Sequence, residues 1–148
     1  SLVSPRKAVD SVLFDDVSRT GANYVAIIPY AFTRRNQTNV LFDLSHQWWG
    51  ERKEGVIQLV QYARDQGMEV MVKPHVWIEG QGWAGDFDLL DELQWKEWEV
   101  SYENYILHYA NLADSLQVPL FCIGTEFRGP IIEALLFQEG LNHLFHQT

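Results

Sequence analysis

Little in this chain is positive. Lys and Arg number 11 against 20 Asp and Glu, leaving a net charge of −9 over 148 residues. Nucleic acid and anionic membranes both reward positive patches, so neither is an expected partner. Cysteine is nearly absent. Cys122 is the single one, so no intrachain disulfide can form, and its place in an apolar run reads as a small core residue. The compartment stays undecided. No stretch of eighteen apolar residues exists, so no helical membrane span is expected. No basic segment followed by an apolar one marks a signal peptide, and the chain begins at Ser1 rather than methionine, which leaves room for an upstream piece. Linkers, low-complexity stretches and close repeats are also missing, and this length suits one domain.

What is present is enough for a core: 47% hydrophobic residues, 14% aromatic. Ser4-Pro5 has the form of a helix start, with Val9, Val12, Leu13 and Val17 at helical spacing and Gly21 as the C-cap. Asn23 to Pro29 is β-branched and apolar, a buried strand. Tyr30 to Trp49 reads as a long loop. Glu51 to Gln66 is helical through Val56, Leu59, Val60 and Ala63, and Gly67 closes it. Met68 to Val72 is a second strand, and Lys73 to about Glu92 a second long loop. Gln94 to Gln117 is the clearest helix, carrying Trp95, Trp98, Tyr102, Tyr105, Tyr109, Leu112 and Leu116 in steps of three and four. So many large aromatics on one seam argue for packing against a sheet rather than for a coiled coil. Pro119 stops that helix, and Leu120 to Ile123 forms a third strand that breaks at Gly124. From Pro130 the tail holds one or two short amphipathic helices. Helices and buried strands alternate strictly, so the fold class is α/β with a parallel sheet.

In such a sheet all strand C-termini lie along one edge, where ligands bind. The three strands end at Pro29-Tyr30, at Lys73-Pro74-His75 with Trp77 close behind, and at Gly124-Thr125-Glu126. Glu126 reads either as a catalytic carboxylate or as a helix-start acid paired with Arg128. Lys73 is a solvated strand-end charge, a ligand contact or, given a lowered pKa, a Schiff-base nucleophile. His75 is a turn residue or a ligand donor. Trp48, Trp49, Trp77 and Trp83 lie in or beside the loops. Some must pack, and a cleft of loop tryptophans suits the C–H faces of a sugar ring.

Two motifs carry less than they promise. Gly80-Gln-Gly-Trp-Ala-Gly85 fits a dinucleotide fingerprint literally, but opens no helix, includes bulky Trp83 and precedes Asp86 and Asp88, which repel a pyrophosphate. His143 and His146 are one helical turn apart, with no cysteine or carboxylate completing a metal set. No metal and no cofactor is expected.

Several segments together resemble one family: Gly21 through Pro29, Val70-Met-Val-Lys-Pro-His75, Gly82-Trp-Ala-Gly85, Trp95 through Tyr102, His108-Tyr-Ala110 and Ile123-Gly-Thr-Glu126, in that order. The set is similar to the β-mannanases of glycoside hydrolase family 113, in the clan of retaining (β/α)8-barrel glycosidases. It covers about Ser11 to Arg128. The resemblance implies a partial TIM barrel, roughly strands 2 to 4 of eight. It makes Glu126 the general acid/base, with Lys73 and His75 lining sugar subsites and Trp83 in the cleft. Tyr30, Trp77 and Thr125 join these as substrate-binding candidates. The wider clan usually has Asn before the acid/base; this chain has Thr125.

A full barrel takes typically about 250 residues. Retaining hydrolysis needs a second carboxylate about 5–5.5 Å from the first, and the resemblance places it on the seventh strand, outside this chain. The first strand is expected before Ser1. The leading expectation is therefore the acid/base half of a β-mannan hydrolase, inactive or nearly so alone, as one domain with a tail, 129–148, of undecided docking. Oligo- or polysaccharide is the expected partner. Unpaired strand edges predict self-association or a covering partner. A non-catalytic sugar-binding or scaffold domain and a Lys73 aldolase-like barrel are the alternatives.

Overall fold

The computed structural model describes residues 2–80 and 83–125. Its strands are β1 (Tyr24–Ile27), β2 (Tyr30–Arg34), β3 (Glu69–Val72), β4 (His75–Glu79) and β5 (Leu120–Phe121), and its helices α1 (Val12–Ser18), α2 (Lys53–Asp65) and α3 (Glu92–Ser115). Strands β1, β3 and β5 form a parallel sheet in the order β1-β3-β5, while β2 and β4 form a parallel pair of their own. This is a partial α/β barrel with the expected alternation.

Two expected loops begin differently. The stretches after Pro29 and Pro74 are not irregular at once: they resume as β2 and β4. The register is the same on both sides of the prolines, since Tyr24 faces Glu69 and Tyr30 faces His75. Thus β2 continues β1, and β4 continues β3. Proline has no N–H to donate, so the ladder is interrupted at that level and each strand is split in two. Past the break, Tyr30-Ala-Phe-Thr-Arg34 and His75-Val-Trp-Ile-Glu79 alternate: Ala31, Thr33, Val76 and Ile78 are buried, and the side chains between them are not. Leu41 closes the far end by exchanging two backbone hydrogen bonds of 2.8 Å with Phe32.

Ser4-Pro5 does not start a helix. Leu2 N–H donates to the Ala26 carbonyl at 2.9 Å, and the Ser4 hydroxyl donates to the Ile28 carbonyl at 2.7 Å. Residues 2–4 therefore run along the edge of β1 away from β3. A hydroxyl that fits an N-cap also satisfies a strand carbonyl, and here the second use wins. The helix begins only at Val12; Gly21, at φ 77°, follows it as expected. The third strand is shorter than the expected Leu120 to Ile123, although Cys122 N–H still donates to the Val72 carbonyl at 2.9 Å.

Helix α2 buries Val56, Leu59, Val60 and Ala63 under β1 and β3, with Gly67 at φ 71° ending the turn that follows. Helix α3 starts at an Asp91 N-cap, whose carboxylate accepts from Gln94 N–H at 2.9 Å. Its aromatic seam packs on the sheet, as its composition predicts. Trp98 stacks on Tyr102 with centroids 4.9 Å apart, and Tyr102, Tyr105 and Tyr109 follow edge to face.

Candidate functional site

The aromatic seam of α3 does more than fill space. Each of its three buried tyrosines ends on a backbone carbonyl, two of them at the strand ends and the third in the 3-10 turn Trp49–Glu51. Tyr105 donates to the Pro29 carbonyl at 2.6 Å and lies 3.3 Å from that of His75. Tyr102 donates to Ile123 at 2.8 Å, and Tyr109 to Glu51 at 2.8 Å. Burial raises all three phenol pKa values well above the ordinary range, so they remain neutral donors. The Pro29 carbonyl, which also accepts from His75 N–H at 3.3 Å, gains a second donor in Tyr105 at the level where the ladder is interrupted.

Three strand ends meet there. The Tyr30 ring lies edge-on to the His75 imidazole, with centroids 5.3 Å apart. On its other side, His75 Nδ1 is 2.6 Å from the Thr125 hydroxyl. His75, which opens β4, therefore touches both Tyr30, which opens β2, and Thr125, which follows β5. The Cys122 thiol on the Gly124 carbonyl at 3.1 Å and the Tyr102 bond to Ile123 hold the short segment that delivers Thr125. Where an asparagine side chain is usual in the clan, this chain offers a hydroxyl to the histidine.

The other expected residues are placed as follows. Lys73 is half-buried, its backbone N–H on the Ile27 carbonyl at 2.9 Å, two residues before His75 and on the same face. Trp77 is two residues beyond His75 on that face. It belongs to a strand, not a loop, opposite Phe32, and its indole is 52% exposed. Trp83 precedes a short 3-10 turn, Ala84–Asp86, and its indole folds over Gly85, where any Cβ would collide with it. The structure thus gathers Tyr30, His75 and Thr125, aligns Lys73 and Trp77 with them, and sets Trp83 in the following segment. Glu126, Gly82 and the histidines of the tail lie outside the described residues. Among the described residues, no three His, Cys, Asp or Glu side chains are placed to hold a metal ion.

A second group stands beside this one, of which the sequence singled out Tyr30, Trp48 and Trp77 but not Phe32, Gln47 or Glu51. A cavity of about 480 Å3 opens next to Tyr30, and Phe32, Gln47, Trp48, Glu51 and Trp77 also line it. Gln47 Nε2 donates to the Tyr30 carbonyl at 3.0 Å, and its Oε1 accepts from Leu44 N–H at 2.8 Å. Glu51 is only 5% exposed. Burial pushes its carboxyl pKa up, opposed by hydrogen bonds from the Trp48 backbone and the Gln47 side chain. The alternation after Pro29 and Pro74 was a usable signal for Phe32. Nothing in the sequence separates Glu51 from an ordinary acid at a helix start.

The family profile of Glycoside Hydrolase Family 113 matches residues 5–130. No match is found among the curated proteins. Among solved structures, the chain is similar to a family 113 β-mannanase from Alicyclobacillus acidocaldarius in complex with ManMIm. The TM-score is 0.77 at 17% identity, covering 93% of this chain and 45% of that one. A family 113 β-1,4-mannanase matches at 31% identity and a TM-score of 0.63, over 77% of this chain and 38% of that one. A complex of a family 113 β-1,4-mannanase matches at 27% identity and a TM-score of 0.69, over 90% and 43%. The chain therefore spans less than half the length of the solved structures it matches.

Proposed function

The chain belongs to glycoside hydrolase family 113, and from that premise we propose that it carries the acid/base half of a retaining β-mannanase site acting on β-1,4-mannosidic bonds. The contact of Tyr30, His75 and Thr125 at the three strand ends is the observation that carries this reading. It builds a polar, aromatic-edged floor, and Glu126 is the next residue in the chain.

In this reading Glu126 first acts as an acid. It gives its proton to the glycosidic oxygen as the bond to the anomeric carbon breaks, while a second carboxylate attacks that carbon from the opposite face. Glu126, now a carboxylate, then takes a proton from water as the water displaces the covalent sugar. The second carboxylate comes from barrel residues beyond these 148. His75 and Thr125 fix each other against the sugar, with Tyr30 at the side. Lys73 offers N–H donors to sugar hydroxyls, and the exposed faces of Trp77 and Trp83 stack on pyranose C–H bonds. The domain would act as one unit on an oligo- or polysaccharide.

The test is a completed barrel in which this chain replaces the matching part of a family 113 mannanase. Glu126→Gln should slow hydrolysis of mannan by about 10²–10⁴-fold, the usual contribution of a positioned acid/base. An aryl mannoside whose phenol leaves without protonation should lose far less in the glycosylation step. Equal losses on both substrates would remove the acid/base role. Sugar binding with no turnover in the parent barrel would instead favour a non-catalytic module.

A further inference from the structure

The segment between β2 and α2 forms a strap against α3, and Asp43 stands in its middle. Asp43 has a left-handed backbone, φ 53°, which few residues besides glycine, asparagine and aspartate adopt readily. Its carboxylate points two ways. Oδ1 accepts from the N–H of Lys53, the first residue of α2, at 2.8 Å. Oδ2 lies 3.6 Å from His108 Nε2 on α3. Helix α2 receives no side-chain cap from Arg52, its own N-cap residue. Asp43 instead supplies, from across the strap, the acceptor and the negative charge that a helix start favours.

The strap is fastened to β2 at both ends. Leu41 and Phe32 exchange two backbone hydrogen bonds of 2.8 Å. Gln47 donates to the Tyr30 carbonyl at 3.0 Å and accepts from Leu44 N–H at 2.8 Å. Between these ends the Phe42 ring lies 5.2 Å from that of Tyr105 and 5.3 Å from that of His108. His108 is the sensitive member of this packing. Its Nε2 is shut off from water and has no hydrogen-bond partner among the described residues, and such a site costs a charged ring far more than a neutral one. Burial lowers the His108 pKa; Asp43 on the strap opposes that shift, and Lys53 on α2 adds to it. Tyr109, beside it on α3, stays neutral, and Glu51 acts on Tyr109 rather than on the imidazole.

We propose that Asp43 and His108 are positioning residues: they clasp the strap, residues 41–47, to α2 and α3 so that Gln47 keeps Tyr30 in place beside His75, and a proton on His108 loosens the clasp and the Tyr30 side of the site with it. An imidazolium held there needs water or a closer anion, and the strap is the cover whose opening admits water. The clasp stands on the contacts of the strap alone. Its effect on sugar rests on the β-mannanase reading.

Amide hydrogen exchange of the full chain, from about pH 8 to about pH 5 across the ordinary histidine range and corrected for the intrinsic effect of pH, tests the clasp. The Phe32 and Leu41 amides should exchange faster than the Lys73 amide, which is bonded to the Ile27 carbonyl. They should also depend little on low urea, the mark of local opening. Their protection should fall severalfold on acidification, and His108→Gln should remove the fall. His46, exposed on the strap, is common to both proteins and drops out of the comparison. Asp43→Asn serves should His108→Gln fail to fold. Its amide oxygen still caps α2 and asparagine accepts the backbone, so the acid loss should grow, because no negative charge then faces His108. Asp43→Ala should speed exchange of both amides about fivefold already at high pH, the scale of one lost helix cap. An acid loss that persists in His108→Gln or fails to grow in Asp43→Asn would overturn the clasp. So would exchange at Phe32 and Leu41 as slow and as urea-dependent as at Lys73, since the strap would then open only with the whole fold. Mannopentaose affinity should fall on acidification severalfold more in the wild type than in His108→Gln, and equal falls would overturn the role of the strap in placing Tyr30. No mannopentaose binding at any pH would overturn the mannanase reading, while the exchange result still decides the clasp.

Discussion

Below Pro29 and Pro74, β1 and β3 bury Val25, Ile27, Val70 and Val72, and only Tyr24 and Glu69 at their starts are exposed. Above the prolines, β2 and β4 keep one sealed face in Ala31, Thr33, Val76 and Ile78, and turn Tyr30, Phe32, His75 and Trp77 toward the open side. The strands and the register are the same; only the level differs. The lower half is organised for burial, and the upper half spends less of its surface on the core. Buried packing sets the scale of stability, while exposed aromatic and titratable groups on a rigid support are what a binding site needs. The two requirements are separated along the strand rather than between domains.

The largest expected effect lies in the packed region. Trp98 is 0% exposed, with the rings of Phe87 at 5.5 Å and Tyr102 at 4.9 Å. Trp98→Ala should cost about 3–5 kcal/mol, read as a shift of the urea midpoint. A loss below about 1 kcal/mol, typical of surface positions, would break the comparison by showing that the seam of α3 does not carry the core.

A smaller effect separates two titratable groups, His108 in α3 and Glu51 just before α2. Burial lowers the His108 pKa from 6.5, partly offset by Asp43, whose Oδ2 is 3.6 Å from Nε2. The unfolded chain therefore takes this proton first, so stability is lost as the pH falls from about 6.5 through the folded value. Glu51 has the opposite sign. Its pKa is raised above 4.5 by burial, the unfolded chain ionises first, and stability is lost as the pH rises from about 4.5 through the folded value. Melting curves across this range should show Glu51→Gln gaining on the wild type as the pH rises and His108→Gln gaining as it falls. Two flat differences would mean that neither group is held against its preferred charge.

Much of the packed core was legible in the sequence. Val25, Ile27, Val70 and Val72 sit in short β-branched runs, and Trp98 to Tyr109 repeat at helical spacing; each signal is local and periodic, and each element stands within a few residues of its expected place. The joint was harder. Pro29 and Pro74 read as strand ends because proline cannot continue a ladder, yet a parallel pair can resume one step later, and the alternation of Tyr30 to Arg34 and His75 to Glu79 was the available sign of it. Ser4 was misread because one hydroxyl serves equally as a helix cap or as a donor to a strand carbonyl. Among the candidate residues, the proximity of Tyr30, His75 and Thr125 was legible from topology, since parallel strands bring their C-termini to one edge. Glu51 was not, because Tyr109, whose hydroxyl donates to the Glu51 carbonyl, and Pro5, which accepts from the neighbouring Gly50 N–H, are distant in sequence and no local pattern records them.

The central claim is that the open face of β2 and β4 binds sugar without supporting the fold. Trp77→Ala tests it most directly, with the urea midpoint and mannopentaose affinity measured on the same sample. The indole is 52% exposed, so stability should stay within about 0.5 kcal/mol while affinity falls by about tenfold, the loss of one stacking contact. Unchanged affinity together with a marked loss of stability would contradict the account and return Trp77 to the core.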